Sequence, residues 1–543
     1  MASRQHAFGF PVRLPRSAYT QVRFAPVAGY SDTPDLQTNP ASITSGMNVW
    51  IRQNRLLPRP RLARIGTTVL GDSPTGAFGY FDINGTEYPM LTSKRTVMFL
   101  NGADWQALTY VASGTTNYPP AGGANDPWNA TSIYLPRLDA NIAVMANGVD
   151  PLFAWGGPSN GTAFSTLTQA PIAVDVAVLK DHLVAWNIRE PSSSSQLVTR
   201  VAWDVRGDPE DWSSINEFAG AEDLLDMRGI GTRVFTQGDE LLLATDKEIW
   251  RGRHVGPPFV FQFTPFARSQ GIPYGRAALQ TLDGLFWLGD DFMIYRLAPF
   301  GYAQIESIGS AIQRTLHDTL LEPSKAFFGY HPDARQLSLY YSVTAGAAPV
   351  RAFTLNTATG TWTPQRYTQG LSVGFSSPVA TSSSATTWGA LVGTYAAQTL
   401  TYNQLLGLGG AGAPANEAVV SSTGTPYSFT HSASSDDGQT VTHDATLGAL
   451  FASMPERRKY LDQARWDVRA DSASSLSVAV SADLGATFTE QRLAISAQSA
   501  TTQLKTNWGL DGVYHMIRLR TDSPHTFEVN GITVRAKIGG EAI

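Results

Sequence analysis

The chain has 543 residues, of which 43% are hydrophobic and 16% charged, with 49 Gly, 32 Pro and no Cys. At roughly 100–200 residues per domain it holds several domains or one large repeat architecture. The absence of Cys excludes a disulfide framework, a thiolate metal site and a cysteine nucleophile. A net charge of -5 excludes a nucleic-acid-coating protein. No apolar run approaches the ~18 residues of a membrane span, so no membrane insertion is expected. Met1-Ala-Ser-Arg-Gln-His has no apolar run behind it, so no secretory signal is expected either.

Residues 1–70 read as a basic extended arm followed by first strands. Arg4, Arg13, Arg16, Arg23, Arg52, Arg55, Arg59, Arg61 and Arg64 face only Asp32 and Asp35. Pro11, Pro15, Pro26, Pro34 and Pro40 keep the arm extended. These are more guanidiniums than a fold needs, so Arg4, Arg13, Arg16 and Arg23 are expected to dock on an acidic neighbouring subunit through planar forks.

Residues 71–370 are expected to form a β-propeller core. Apolar strands meet small polar turns and are followed by strands ending in an aromatic residue. Thr96–Trp105, Asn141–Trp155, His182–Ile188 with Thr199–Trp203, Glu240–Trp250, Gly284–Tyr295 and Arg351–Trp362 all fit. Copies recur every ~40–60 residues, the spacing of four-stranded blades. One helix is predicted, over Ser310–Leu321, where Ile312, Leu316 and Leu320 repeat at helical spacing; Ser310 is placed to cap it and Pro323 to stop it.

Residues 371–456 are rich in Gly, Ser and Thr and read as an insertion or loops, or as a set of weakly apolar strands. No Lys or Arg occurs from Tyr367 to Glu456. Residues 457–543 alternate at period two and predict a small C-terminal β-sandwich. The fold class is therefore all-β: a propeller core, a C-terminal sandwich-like domain and an extended N-terminal arm.

Chemistry is hard to find. No phosphate loop, zinc-protease helix, nucleophile elbow or calcium loop is present. Asp290 and Asp291 sit in a predicted hairpin turn, and His182, His254, His317 and His331 lack ligand spacing. The acids of Gly220–Asp226 do not make the oxygen cluster that calcium requires. No cofactor, metal or catalytic residue is expected, and the chain is expected not to be an enzyme. One motif does stand out: Ser481, Asp483, Gly485, Thr487 and Phe488 fit S-x-D-x-G-x-T-[WF]. It resembles the Asp-box hairpin of sialidases and other β proteins, in which the Asp accepts turn N–H groups and Gly permits positive φ.

Three stretches together resemble the tail nozzle, or tail tube, proteins of short-tailed bacteriophages. The first is Thr38–Pro60, similar to that family's N-terminal segment, with Asn54 where Gly is usual and Arg61 following Pro60 in place of Gly. The second runs from Thr199–Trp212 through Leu243–Arg251, Gly271–Gly275 and Gly284–Arg296 to Ile308–Leu316. The third is Ser481–Phe488 followed by Gly512–Arg520. The resemblance implies a structural virion protein, assembled in the host cytoplasm. It implies a homo-oligomer, a hexamer, forming a ring at the distal tail through which double-stranded DNA passes transiently. Its partners would be the tail adaptor and tail fibre or spike proteins. A Lys/Arg-poor stretch suits a lumen that must not hold phosphate. The alternative is a phage receptor-binding, or glycan-binding or glycan-degrading, propeller.

Overall fold

The computed structural model describes residues 19–32, 41–111, 120–123, 125–191, 193–214, 218–299, 304–378, 415–431, 433–450, 457–498, 500–523 and 527–541. The chain divides into two units: residues 1–59 with 440–543, and residues 60–439.

The described residues of the second unit form seven sheets, antiparallel except where Thr109–Tyr110 runs parallel to Ala163–Thr166. Short apolar segments cut by tight turns pair with their sequence neighbours, because a two-residue turn costs less entropy than a long closure. The hairpin Ile172–Leu179 with His182–Arg189 is typical. Its turn residues Lys180 and Asp181 both take positive φ, 53° and 65°, the backbone of a type I′ turn. The innermost strands are Pro74–Phe81, Asn129–Leu135, Ile172–Leu179, Gly231–Gln237, Ala278–Thr281, Phe327–His331 and Leu371–Pro378. They open blades 1 to 7 in order.

The blades pack on one another through apolar faces. Met90, Phe99 and Trp155 join blades 1 and 2, and Val184, Trp186 and Leu243 join blades 3 and 4. Phe235 and Trp287 join blades 4 and 5, and Phe327, Tyr340 and Val419 join blades 6 and 7. Leu91, Met98, Phe375 and Val420 then pack blade 7 on blade 1. Blade 7 has only three strands of its own. Its fourth is Arg61–Arg64, which pairs with Pro426–Thr430 from the far end of the unit. The propeller expectation is thereby met, with one boundary moved. The segment expected as an insertion supplies strands Leu371–Pro378, Ala415–Ser421 and Pro426–Thr430. Its small residues hid a period-two alternation in which Leu371, Val373 and Phe375 are buried.

The first unit is a two-sheet sandwich. One sheet orders Val49–Arg52, Arg55–Pro58, Phe527–Glu541, Arg457–Ala470 and Thr502–Gly512, with Tyr19–Phe24 also paired to Phe527–Glu541. The other orders Ile43–Met47, His443–Leu447, Met516–Thr521, Ser474–Ser481 and Thr489–Ile495. Ile43, Leu56, Trp466, Val478, Ile517 and Val529 fill the space between them. The N-terminal segment is thus not only an arm: Tyr19–Phe24, Ile43–Met47, Val49–Arg52 and Arg55–Pro58 are sandwich strands. Part of the Arg surplus is answered by acids far along the sequence. Arg55 donates to Glu528 (2.7 Å) and Arg64 grips both oxygens of Asp437 (2.9 Å each).

The predicted helix is shorter than expected, Gln313–Thr319. Ile312, Leu316 and Leu320 are buried as the spacing predicts. Ser310 does not cap it; Ile312 occupies the cap position with no side-chain bond to the turn. Leu321 faces outward.

Candidate functional site

The inner strands of a propeller all begin on one face, and the segments leading into them meet around its axis. Here these segments and two blade loops line a funnel of about 820 Å3. Ser73, Asn125, Arg276, Glu322, Lys325 and Ser372 are among its walls. Deeper on the axis lies a cavity of about 150 Å3 between inner strands, lined by Thr75, Asn129, Arg233, Arg276, Phe328 and Gly374 among others. Arg276 lines both spaces.

Arg276 comes from a single 3-10 turn, Gly275–Ala277, that leads into the inner strand of blade 5. Its Nη2 donates to the Ser372 carbonyl of blade 7 at 2.7 Å. No carboxylate lies within ion-pair distance of it among the described residues, and burial pushes its pKa down to about 10. Its neighbour Arg233 is compensated. Nε of Arg233 donates to Asp175 (2.8 Å) and Nη1 to the Gly275 carbonyl (3.0 Å), bracing the turn that carries Arg276. Asp175 also accepts the N–H of Val234 (2.8 Å). At the rim, Glu322 and Lys325 fasten to the two ends of one residue. Glu322 accepts the Gly346 N–H and Lys325 donates to the Gly346 carbonyl, each at 2.7 Å. The arrangement is a polar, net cationic recess with one uncompensated guanidinium at its base. The local sequence Tyr-Gly-Arg gave no signal of this recess, because Ser372 is 96 residues away.

Two carboxyls are tuned strongly by burial but line neither space. Asp204 is pushed up to about 9, its Oδ1 accepting the Leu183 N–H at 2.6 Å. Glu417 is pushed up to about 8 and accepts the Tyr340 hydroxyl at 2.6 Å. Both serve blade packing. Asp291 caps its own turn, accepting the Met293 N–H (3.0 Å) and the Tyr295 hydroxyl (2.7 Å). His182 and His254 approach each other with rings 6.0 Å apart, while His317 is exposed beside Asp318 and His331 sits on blade 6. Asp223 pairs with Arg200 (2.7 Å). Among the described residues no three His, Asp or Glu side chains gather into a metal site.

The S-x-D-x-G-x-T-F motif forms the hairpin its pattern predicts. Asp483 accepts the Thr487 N–H (2.9 Å), the Thr487 hydroxyl (2.6 Å) and the Ser481 hydroxyl (2.6 Å). The Ser481 hydroxyl accepts the Gly485 N–H at 2.8 Å. These bonds hold the Asp483 carboxyl down at about 2. Gly485 has φ 89°, which only glycine adopts without strain. Phe488 lies under the Arg518 guanidinium, 4.4 Å from ring centre to Cζ. The hairpin is on the sandwich and belongs to no cavity described above. Of the arginines expected to dock, Arg4, Arg13 and Arg16 lie outside the described residues. Arg23 already has an internal partner, Asp467, at 3.0 Å.

No protein-family model matches the sequence, and no curated protein matches it. Solved structures do. An exo-β-1,3-galactanase from Phanerochaete chrysosporium with galactose is 11% identical, over 70% of this chain and 98% of that one, with a TM-score of 0.23. A puromycin hydrolase is 12% identical, over 58% of this chain and 51% of that one, with a TM-score of 0.36. Likeness at this level carries no substrate and no site over to this chain. The expectation that the chain is not an enzyme is nevertheless corrected, since the proteins it is similar to include hydrolases.

Proposed function

We propose that the chain is a structural protein of a short-tailed bacteriophage tail, a nozzle subunit that joins copies of itself and the tail adaptor around the path of ejected DNA. One observation supports this best. The segment resembling the nozzle family's N-terminal stretch forms sandwich strands and runs directly into Arg61–Arg64, the strand that completes blade 7. The chain then traverses all the blades and returns to the same sandwich at residue 440. The two ends of the propeller's own chain pair strand to strand, Arg61–Arg64 beside Pro426–Thr430, which suits a part under load while a genome passes. The passage lies between copies, because the cavity on the propeller's own axis, about 150 Å3, is far too small for a DNA duplex. Imaging tail particles with an antibody to the chain tests the reading: label at the distal tail supports it, and unlabelled tails oppose it.

A second reading, a glycan-binding or glycan-degrading propeller, is favoured by the funnel itself. Its ~820 Å3 falls within the ~300–1,000 Å3 of ligand sites. Its walls mix hydroxyls, an amide and charged groups with Pro74 and Pro349. Saturable binding of free glycans, lost when the funnel is blocked, supports this reading.

A further inference from the structure

The funnel and Arg276 say more about a ligand than its size alone. Every other guanidinium touching the axial cavity is compensated: Arg233, the only one besides Arg276, holds Asp175. Among the described residues Arg276 has a single hydrogen bond, to a neutral carbonyl, and four further N–H donors. Arg276 is half-buried; a partly desolvated charge without a counter-charge is costly, and a carboxylate placed against its fork would relieve that cost. The rim groups do not supply the counter-charge, since the one carboxylate lining the funnel, Glu322, is held by the Gly346 N–H. Counting lining groups, Arg276 and Lys325 against Glu322 leave one net positive charge in the funnel.

Resting on the glycan reading of the funnel, we propose that it binds an acidic sugar, a hexuronate-type residue whose carboxylate sits on the Arg276 guanidinium while its hydroxyls face the polar walls. The planar fork matches a carboxylate with two parallel hydrogen bonds. Asn125, Ser73 and Ser372 stand in the same funnel to meet ring hydroxyls. A free carboxylate offers the fork the same bonds but leaves those walls to water.

Calorimetric titration of the full chain with galacturonic acid, galactose and acetate tests this. Galactose has the same ring hydroxyls and carries a neutral hydroxymethyl group at C6 where galacturonic acid carries the carboxylate. Galacturonic acid is expected to bind about tenfold or more tightly than either control. Arg276→Met is expected to abolish that preference, and Arg276→Lys to keep part of it, with both variants melting as the parent does. Equal affinity for galactose and galacturonic acid overturns the acidic-sugar assignment while leaving the glycan reading standing. Acetate binding as tightly as galacturonic acid overturns it too, in favour of a bare anion site. Failure of every sugar to bind overturns the glycan reading itself. Should Arg276→Met not fold, retention of the full preference in Arg276→Lys overturns the role of the fork.

Discussion

The backbone N–H of Leu62 donates a 2.9 Å hydrogen bond to Oδ1 of Asp436, joining residues 374 positions apart. Leu62 carries this bond from the strand that completes blade 7, and its side chain is buried against Phe429, Tyr427, Phe327 and Tyr340. The propeller is thus closed by hydrogen bonds and packing between the two ends of its own chain.

Leu62→Ala should therefore destabilise the propeller by about 2–5 kcal/mol, the usual cost of a truncated buried Leu. Denaturant titration followed by Trp fluorescence reads this directly. An unchanged midpoint would mean that closure by this strand contributes nothing to stability.

The Asp483 hairpin predicts a pH dependence. Its carboxyl is held down at about 2, below the ~3.9 of an unfolded Asp. A depressed carboxyl contributes stability above its unfolded value and loses it as pH falls through the folded one. Asp483→Ala should lower the melting temperature of the sandwich at pH 7. The difference from the parent should shrink as pH is lowered from about 4 towards 2. A difference that stays constant over that range would refute the hydrogen-bonded carboxylate as its cause.

Glu417 works in the opposite direction. Burial pushes it up to about 8, above the ~4.3 of an unfolded Glu, so the folded chain binds the extra proton between those values. Its contribution is fully present below about 4 and is lost as pH rises towards 8. Glu417→Gln keeps the Tyr340 hydroxyl bonded and cannot ionise, so it should flatten this decline and be at least as stable as the parent at pH 8. Parallel pH profiles for the two would contradict a protonated Glu417.

Much of the fold was legible in the sequence, because its information is local. Runs such as His182–Arg189 are short buried segments that start at a tight turn, here Lys180–Asp181, and the S-x-D-x-G-x-T-F hairpin is specified by eight consecutive residues. What was not legible depends on distant partners. Nothing near Arg55 or Arg64 announces Glu528 or Asp437, so their charges read as surplus. The alternation of Leu371, Val373 and Phe375 was masked by the Ser and Gly between them. The funnel was invisible for the same reason, since Arg276 and Ser372 meet only when the ring of blades brings them together.

The arm can now be tested without damaging the sandwich. Residues 1–18 hold Arg4, Arg13 and Arg16 and precede the first described strand, Tyr19–Phe24. A chain starting at residue 19 should melt like the parent yet enter tail particles less well. Arg23→Ala should change stability by no more than ~1 kcal/mol, as exposed ion pairs do. Undiminished incorporation of the shortened chain would dismiss docking by the arm.

The central claim is that copies of this chain build the ring at the distal end of a phage tail. Electron microscopy of the purified chain, alone and bound to tail particles carrying the adaptor, measures it most directly. A six-fold ring with an axial passage, seated at the tail's distal end, is the predicted result. A chain that stays single and ignores the tail, while binding free glycans, would contradict it.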